Sequence, residues 1–106
     1  PPSTFPLVFE HPVTGEEILY ISQGFTIGLD EEAPRELLQQ LLEHAGQLDD
    51  TFEHPMILRH TFDPGDIVIW DNRTLAHRAL HDTTSAPSVS WRLTALDDLP
   101  LYRRAV

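Results

Sequence analysis

Short apolar runs separated by turn-forming residues make up most of the chain. Leu7-Val8-Phe9 is followed by His11-Pro12-Val13-Thr14-Gly15-Glu16 and then by Ile18-Leu19-Tyr20-Ile21. Two apolar runs joined by such a string predict a β-hairpin. Gly24 and Gly28 bracket an irregular apolar Phe25-Thr26-Ile27. The period then changes. Leu37, Leu38, Leu41, Leu42 and Ala45 recur at helical spacing, which predicts an amphipathic helix of about four turns whose leucines are core. Asp30 is placed to cap its start, Glu31 and Glu32 to occupy the first turn with Pro34, and Gly46 to stop it. Asp49 to Pro55 reads as a polar loop, and Met56 to Phe62 as a partly alternating strand. Asp63-Pro64-Gly65-Asp66 carries turn chemistry: proline presets φ and glycine frees it. Ile67-Val68-Ile69-Trp70 is a β-branched run, the pattern of a strand buried on both faces or on one face at a sheet edge. Asp71-Asn72-Arg73 breaks it, Asp82–Pro87 is a loop, and Val89 to Leu96 alternates as a further strand. Pro1–Pro6 reads as an extended arm or a cut end, and the tail from Asp97 carries no pattern. The fold class expected is mainly β with one amphipathic helix, in a sandwich or jelly-roll layout.

Size adds one constraint. At 106 residues the chain is one domain at most, with 41% apolar residues and room for a modest core. Cysteine is absent, which removes disulfide and thiolate chemistry. The net charge of −10, from 17 acidic against 7 basic residues, repels phosphate backbones, so nucleic acid is not an expected partner. The acids are dispersed, as on an ordinary solvated surface. No run is long and apolar enough to span a bilayer and no leader precedes it, so a soluble, cytoplasmic chain without a membrane partner is expected.

The six histidines are the place to look for a metal. His77 and Arg92 fall on successive β segments. If those strands are neighbours, both side chains enter one cavity, where an imidazole suits iron and a guanidinium clamps a carboxylate. The alternative is a buried histidine bonded to backbone, with Arg92 paired to an acid. His81 shares a strand face with His77, and Arg78 points the other way, to a surface role. His60 reads as structural; His11, His44 and His54 receive no role. A mononuclear iron site needs two histidines and a carboxylate. No histidine here has an acid two positions on, and His81-Asp82 side chains diverge. The chain alone does not encode that triad.

Pro64-Gly-Asp-Ile-Val-Ile-Trp-Asp-Asn-Arg-Thr-Leu-Ala-His77, with an arginine in the next strand, resembles the C-terminal signature of the taurine dioxygenase (TauD/TfdA) family. Those are Fe(II)- and 2-oxoglutarate-dependent oxygenases on a double-stranded β-helix. His11-Pro-Val-Thr-Gly-Glu-Glu-Ile-Leu-Tyr-Ile21 resembles the family's His-Pro-x-Thr-Gly-x-x-x-Leu-Tyr segment, so the likeness runs from Phe5 to Asp98. Gly46-Gln-Leu-Asp49, His77-Arg-Ala-Leu-His81 and Trp91-Arg-Leu-Thr-Ala-Leu96 are similar to the branch that makes isonitriles by oxidative decarboxylation of N-carboxymethyl-amino acids.

The resemblance implies that His77 is the distal histidine ligand of the iron and that Arg92 anchors a carboxylate, of 2-oxoglutarate or of substrate. His81 is then a second substrate contact. The taurine-oxidising pattern has two arginines in the last strand. Aligned on His77, the earlier falls on Ser88 and only the later, Arg92, is kept. The family's His-x-Asp pair belongs to an N-terminal half not found here, so residues 1–106 are expected to be a single partial domain, the C-terminal part of a jelly roll. Its expected partners are a small-molecule substrate, the missing half or a companion chain, and, through uncovered strand edges, copies of itself. The competing expectation is a non-catalytic β-sandwich fragment that binds or oligomerises. A cupin-like isomerase is a weaker third, since it draws several histidines from one local motif.

Overall fold

Phe9 and Ile18 face each other across a two-stranded antiparallel hairpin and form the centre of the core. Strand β1 (Val8–Glu10) pairs with β2 (Glu17–Leu19), with Val8 opposite Leu19 and Glu10 opposite Glu17. The computed structural model describes residues 2–81 and 87–103, so most of the loop expected over Asp82–Pro87 lies outside the described residues. The hairpin turn is the one expected from His11 to Glu16. His11 N donates to Glu16 O at 2.8 Å and Gly15 N to His11 O at 2.9 Å. Gly15 sits at φ +73°, a conformation that glycine adopts without a Cβ clash.

Alternation along each strand turns Phe9 and Ile18 inward, where both are buried, while Val8 and Glu10 stay exposed. The Phe9 ring lies 5.1 Å from Tyr20 and 5.3 Å from Tyr102, and Phe5 meets Tyr20 edge-on at 5.6 Å. Covering a ring of this size stabilises by about 1.5–3 kcal/mol. The facing glutamates Glu10 and Glu17 repel across the pair, and Arg103 offsets that. Its backbone N–H donates to Glu10 O at 3.0 Å, and its guanidinium lies 3.9 Å from the Glu10 carboxylate.

The helix is shorter than its leucine pattern predicts. Helix α1 runs over Leu37–His44, and the stretch from Asp30 instead makes two separate turns, Ala33 N to Asp30 O at 2.9 Å and Leu37 N to Pro34 O at 3.0 Å. Pro34 is the reason: it disfavours helical backbone at Ala33 and has no N–H to offer. The cap falls on Glu36, without a side-chain hydrogen bond, and not on Asp30. The stop is as expected. Gly46 takes φ +75°, with Gly46 N bonded to Glu43 O and Gln47 N to Leu42 O, a Schellman pattern. Leu42 is buried, and Gln47 ties this end to the hairpin by donating to Ile21 O at 3.1 Å and accepting from Gln23 N at 2.8 Å.

The three later strands do not form. Among the described residues the sheet contains β1 and β2 alone, with one isolated bridge from Glu10 to Arg103. Met56–Phe62, Ile67–Trp70 and Val89–Leu96 belong to no ladder, and Ile69, Trp91 and Leu93 are at least 90% exposed. A strand is defined by its neighbour's hydrogen bonds, and apolar alternation does not supply the neighbour. The radius of gyration is 16.4 Å, against about 13 Å for a compact domain of this length. The mainly β expectation is therefore met only by the hairpin. Among the described residues no helix is long and apolar enough to cross a membrane.

Candidate functional site

The stretch that carries His77 begins with the turn expected at Asp63. Asp66 N donates to Asp63 O at 3.0 Å, the Asp66 carboxylate accepts from Asp63 N at 2.9 Å, and Gly65 takes φ +94° as a type II turn requires. His60 lies at this turn, 3.3 Å from Asp66 and edge-on to Phe62, which fits the structural role expected for it. The chain then runs extended to Trp70 and turns sharply at Asp71.

Asp71 organises that corner with both carboxylate oxygens and its carbonyl. Its Oδ1 accepts from Arg73 N at 2.8 Å, and its carbonyl accepts from Thr74 N and Leu75 N. Its Oδ2 accepts from Nε2 of His11 at 2.8 Å. The hydrogen bond from His11 holds the Asp71 carboxyl below its ordinary range, aided by the Arg73 N–H and guanidinium against a smaller effect of burial. His11 is the buried polar residue of the core, 6% exposed. Its Nδ1 accepts from Val13 N and Thr14 N at 3.1 Å each, so the ring proton resides on Nε2 and faces Asp71.

Arg73 continues this polar path. Its two terminal nitrogens donate to the two carboxylate oxygens of Asp97 at 3.2 and 2.9 Å, and one also reaches the Pro100 carbonyl at 3.3 Å. The Arg73 hydrogen bond, with a further one from Leu99 N, lowers the Asp97 pKa, and the same contact raises that of Arg73. The corner is thereby tied to the hairpin on one side and to the C-terminal segment on the other.

His77 follows in an exposed stretch outside any strand. Its ring lies 4.9 Å from that of Trp70, tilted by 50°, while the Trp70 indole N–H donates to Asn72 at 2.8 Å. Arg78 sits over the Phe52 ring at 4.8 Å and 4.0 Å from Asp50. Arg78 is half-exposed there. His81 and Arg92 are both exposed, and the strands expected to bring Arg92 beside His77 form no ladder among the described residues. The structure brings together His77 and Trp70, and does not assemble His77, His81 and Arg92 into one cavity.

Sequence reasoning passed over His11, Asp71, Arg73 and Asp97. One signal was present: a carboxylate at the sharp corner after an apolar strand, where a capping role is common. Nothing in the linear pattern pairs it with a histidine sixty residues away.

A family model, taurine catabolism dioxygenase TauD, TfdA family, matches residues 1–94. The alpha-ketoglutarate-dependent 2,4-dichlorophenoxyacetate dioxygenase of Cupriavidus pinatubonensis is 38% identical over 92% of this chain and 33% of its own length. The (S)-phenoxypropionate/alpha-ketoglutarate-dioxygenase of Sphingobium herbicidovorans is 38% identical over 81% of this chain and 29% of its own. The alpha-ketoglutarate-dependent dioxygenase cnsM of Penicillium expansum is 31% identical over 91% and 26% respectively. The chain thus spans about a third or less of the length of these relatives. No solved structure matches it.

Proposed function

This chain belongs to the taurine dioxygenase (TauD/TfdA) family, and we propose that it forms the C-terminal part of an Fe(II)/2-oxoglutarate-dependent dioxygenase whose site is completed by residues outside it. The family match over residues 1–94, which includes His77 and Arg92, together with relatives named as alpha-ketoglutarate-dependent dioxygenases, carries this reading. In the complete protein the segments after Met56 become strands of the jelly roll, paired with the remainder of the fold.

Members of this family use Fe(II) and 2-oxoglutarate. The described residues do not hold iron by themselves: no group of three or more His, Asp or Glu side chains converges among them. This chain offers one imidazole, His77, braced by Trp70, and one guanidinium, Arg92, for a carboxylate. His81 is the second contact to substrate. The substrate class is a small carboxylate-bearing molecule, oxidised with release of succinate and CO2. The phenoxyacetate and phenoxypropionate in two relatives' names support that class. Isonitrile-forming decarboxylation is a narrower reading that rests on the local motifs at Gly46, His77 and Trp91; an N-carboxymethyl-amino acid as the turned-over substrate would establish it.

The test is Fe(II) and 2-oxoglutarate added without oxygen to this chain, alone and with the remaining two-thirds of the fold supplied. Visible absorption from the bound keto acid is expected only in the second case, and its loss in His77→Ala is expected there. Binding that survives His77→Ala overturns the ligand assignment. Self-association of the chain in ultracentrifugation, with no keto-acid absorption even when the remainder is supplied, favours the non-catalytic binding or oligomerisation module instead.

A further inference from the structure

The contact between His11 and Asp71 joins the hairpin turn to the corner that leads to His77, although His11 itself lies far from His77 in sequence. We propose that His11 and Asp71 are positioning residues: a fixed imidazole post on the hairpin and a carboxylate hooked to it, which together set the direction in which Trp70 and His77 project. The positioning rests on contacts in this chain alone, and its bearing on iron rests on the reading above.

The post is rigid because His11 is buried and its Nδ1 is fully engaged by two N–H groups of its own turn. The remaining nitrogen has one proton and one direction. The hook is rigid because both Asp71 oxygens are in use, one on His11 and the other closing the turn through Arg73 N. Trp70 and Asp71 are consecutive, so fixing the Asp71 carboxylate also restricts the backbone that carries Trp70. With Asp71 held to the hairpin, the adjacent Trp70 meets the His77 ring at 4.9 Å. Releasing Asp71 lets the Trp70–Asp71 unit rotate, and His77 loses the surface against which it rests.

Three variants separate this role from plain support of the turn. His11→Asn keeps an acceptor near the Nδ1 position for Val13 and Thr14 but has no donor that reaches Asp71. His11→Gln extends an N–H toward Asp71 but gives up the turn. Asp71→Ser keeps a short oxygen for Arg73 N and is too short to meet His11.

The measurement is the His77 ring proton shift by NMR in the 106-residue chain, with the Phe9–Ile18 cross-strand contact followed as a control. The upfield displacement that Trp70 imposes on His77 is expected to disappear in His11→Asn and in Asp71→Ser with the hairpin contact intact, and to return in His11→Gln. A displacement that persists in Asp71→Ser with the hairpin contact intact overturns the proposal, even if His11→Asn fails to fold. His77→Ala in the iron-binding test judges the ligand reading separately, so either idea can fail alone.

Discussion

Arg73 grips Asp97 through two parallel hydrogen bonds of 3.2 and 2.9 Å across twenty-four residues of chain. The fork geometry is specific to guanidinium, because an ammonium cannot present two coplanar donors at that separation. The same side chain reaches the Pro100 carbonyl. The segment beyond Asp97 is thus returned to the hairpin, where Tyr102 covers Phe9.

Arg73→Lys is therefore expected to loosen the C-terminal segment while sparing the helix. Hydrogen exchange is the measure: the Leu99 and Arg103 amides should exchange faster, and those of Leu41 and Leu42 should not change. Uniform acceleration over the whole chain would mean that the contact supports global stability instead.

Gly46→Ala tests the helix stop. An added Cβ would lie 2.6 Å from Nδ1 and 2.8 Å from Cγ of His54, on backbone at φ +75°. The left-handed conformation alone costs a non-glycine residue on the order of 1–2 kcal/mol, and the His54 ring must move as well. Lower helical ellipticity with a displaced His54 resonance is expected, and a denaturation midpoint equal to that of the parent would refute the argument.

Acid should open the loop after the helix late. The Asp49 carboxylate accepts from Thr51 Oγ1 at 2.7 Å and from the Thr51, His54 and Glu53 N–H groups. These bonds pull its pKa from 3.8 to about 2, the Thr51 hydroxyl contributing most. A carboxylate with a depressed folded-state pKa contributes stability that is complete above its unfolded value and is lost as pH falls through the folded one. The Thr51 and His54 amide shifts should thus hold to below pH 3.8 and change only on approach to about 2. In Thr51→Ala, which removes the hydroxyl and keeps the backbone donors, the transition is expected to move upward from about 2 while staying below 3.8.

In the complete enzyme, Arg92→Ala should raise the KM of one carboxylate-bearing reactant by about ten- to a hundredfold, the worth of a charge-assisted hydrogen-bond pair. Varying 2-oxoglutarate and substrate separately identifies which acid it holds. No change for either refutes the anchor role.

What could be read without coordinates was what depends on near neighbours. The hairpin, the Asp63 turn and the Gly46 stop each follow from residues within about six positions of one another. The helix starts later than Asp30 and its acidic turn suggest, because Pro34 disfavours helical backbone at Ala33. Ile67–Trp70 and Val89–Leu96 carry real strand patterns, but pairing belongs to two segments and these have no partner among the described residues. His11 and Asp71 were invisible for a related reason: a turn histidine looks like any other until the chain returns to it. The roles proposed for His77 and Arg92 rest on family resemblance; their local surroundings show a histidine beside a tryptophan and an exposed arginine.

The exposed run of Val89, Trp91 and Leu93, at 84, 94 and 97%, has a colloidal consequence. A net charge of −10 keeps copies of this chain apart, but that repulsion fades over about 10 Å at 0.1 M salt, while apolar attraction does not. Salt is then the control on its solubility. In dilute buffer the acids protect an otherwise sticky edge, and added electrolyte removes the protection without altering a single contact inside the molecule.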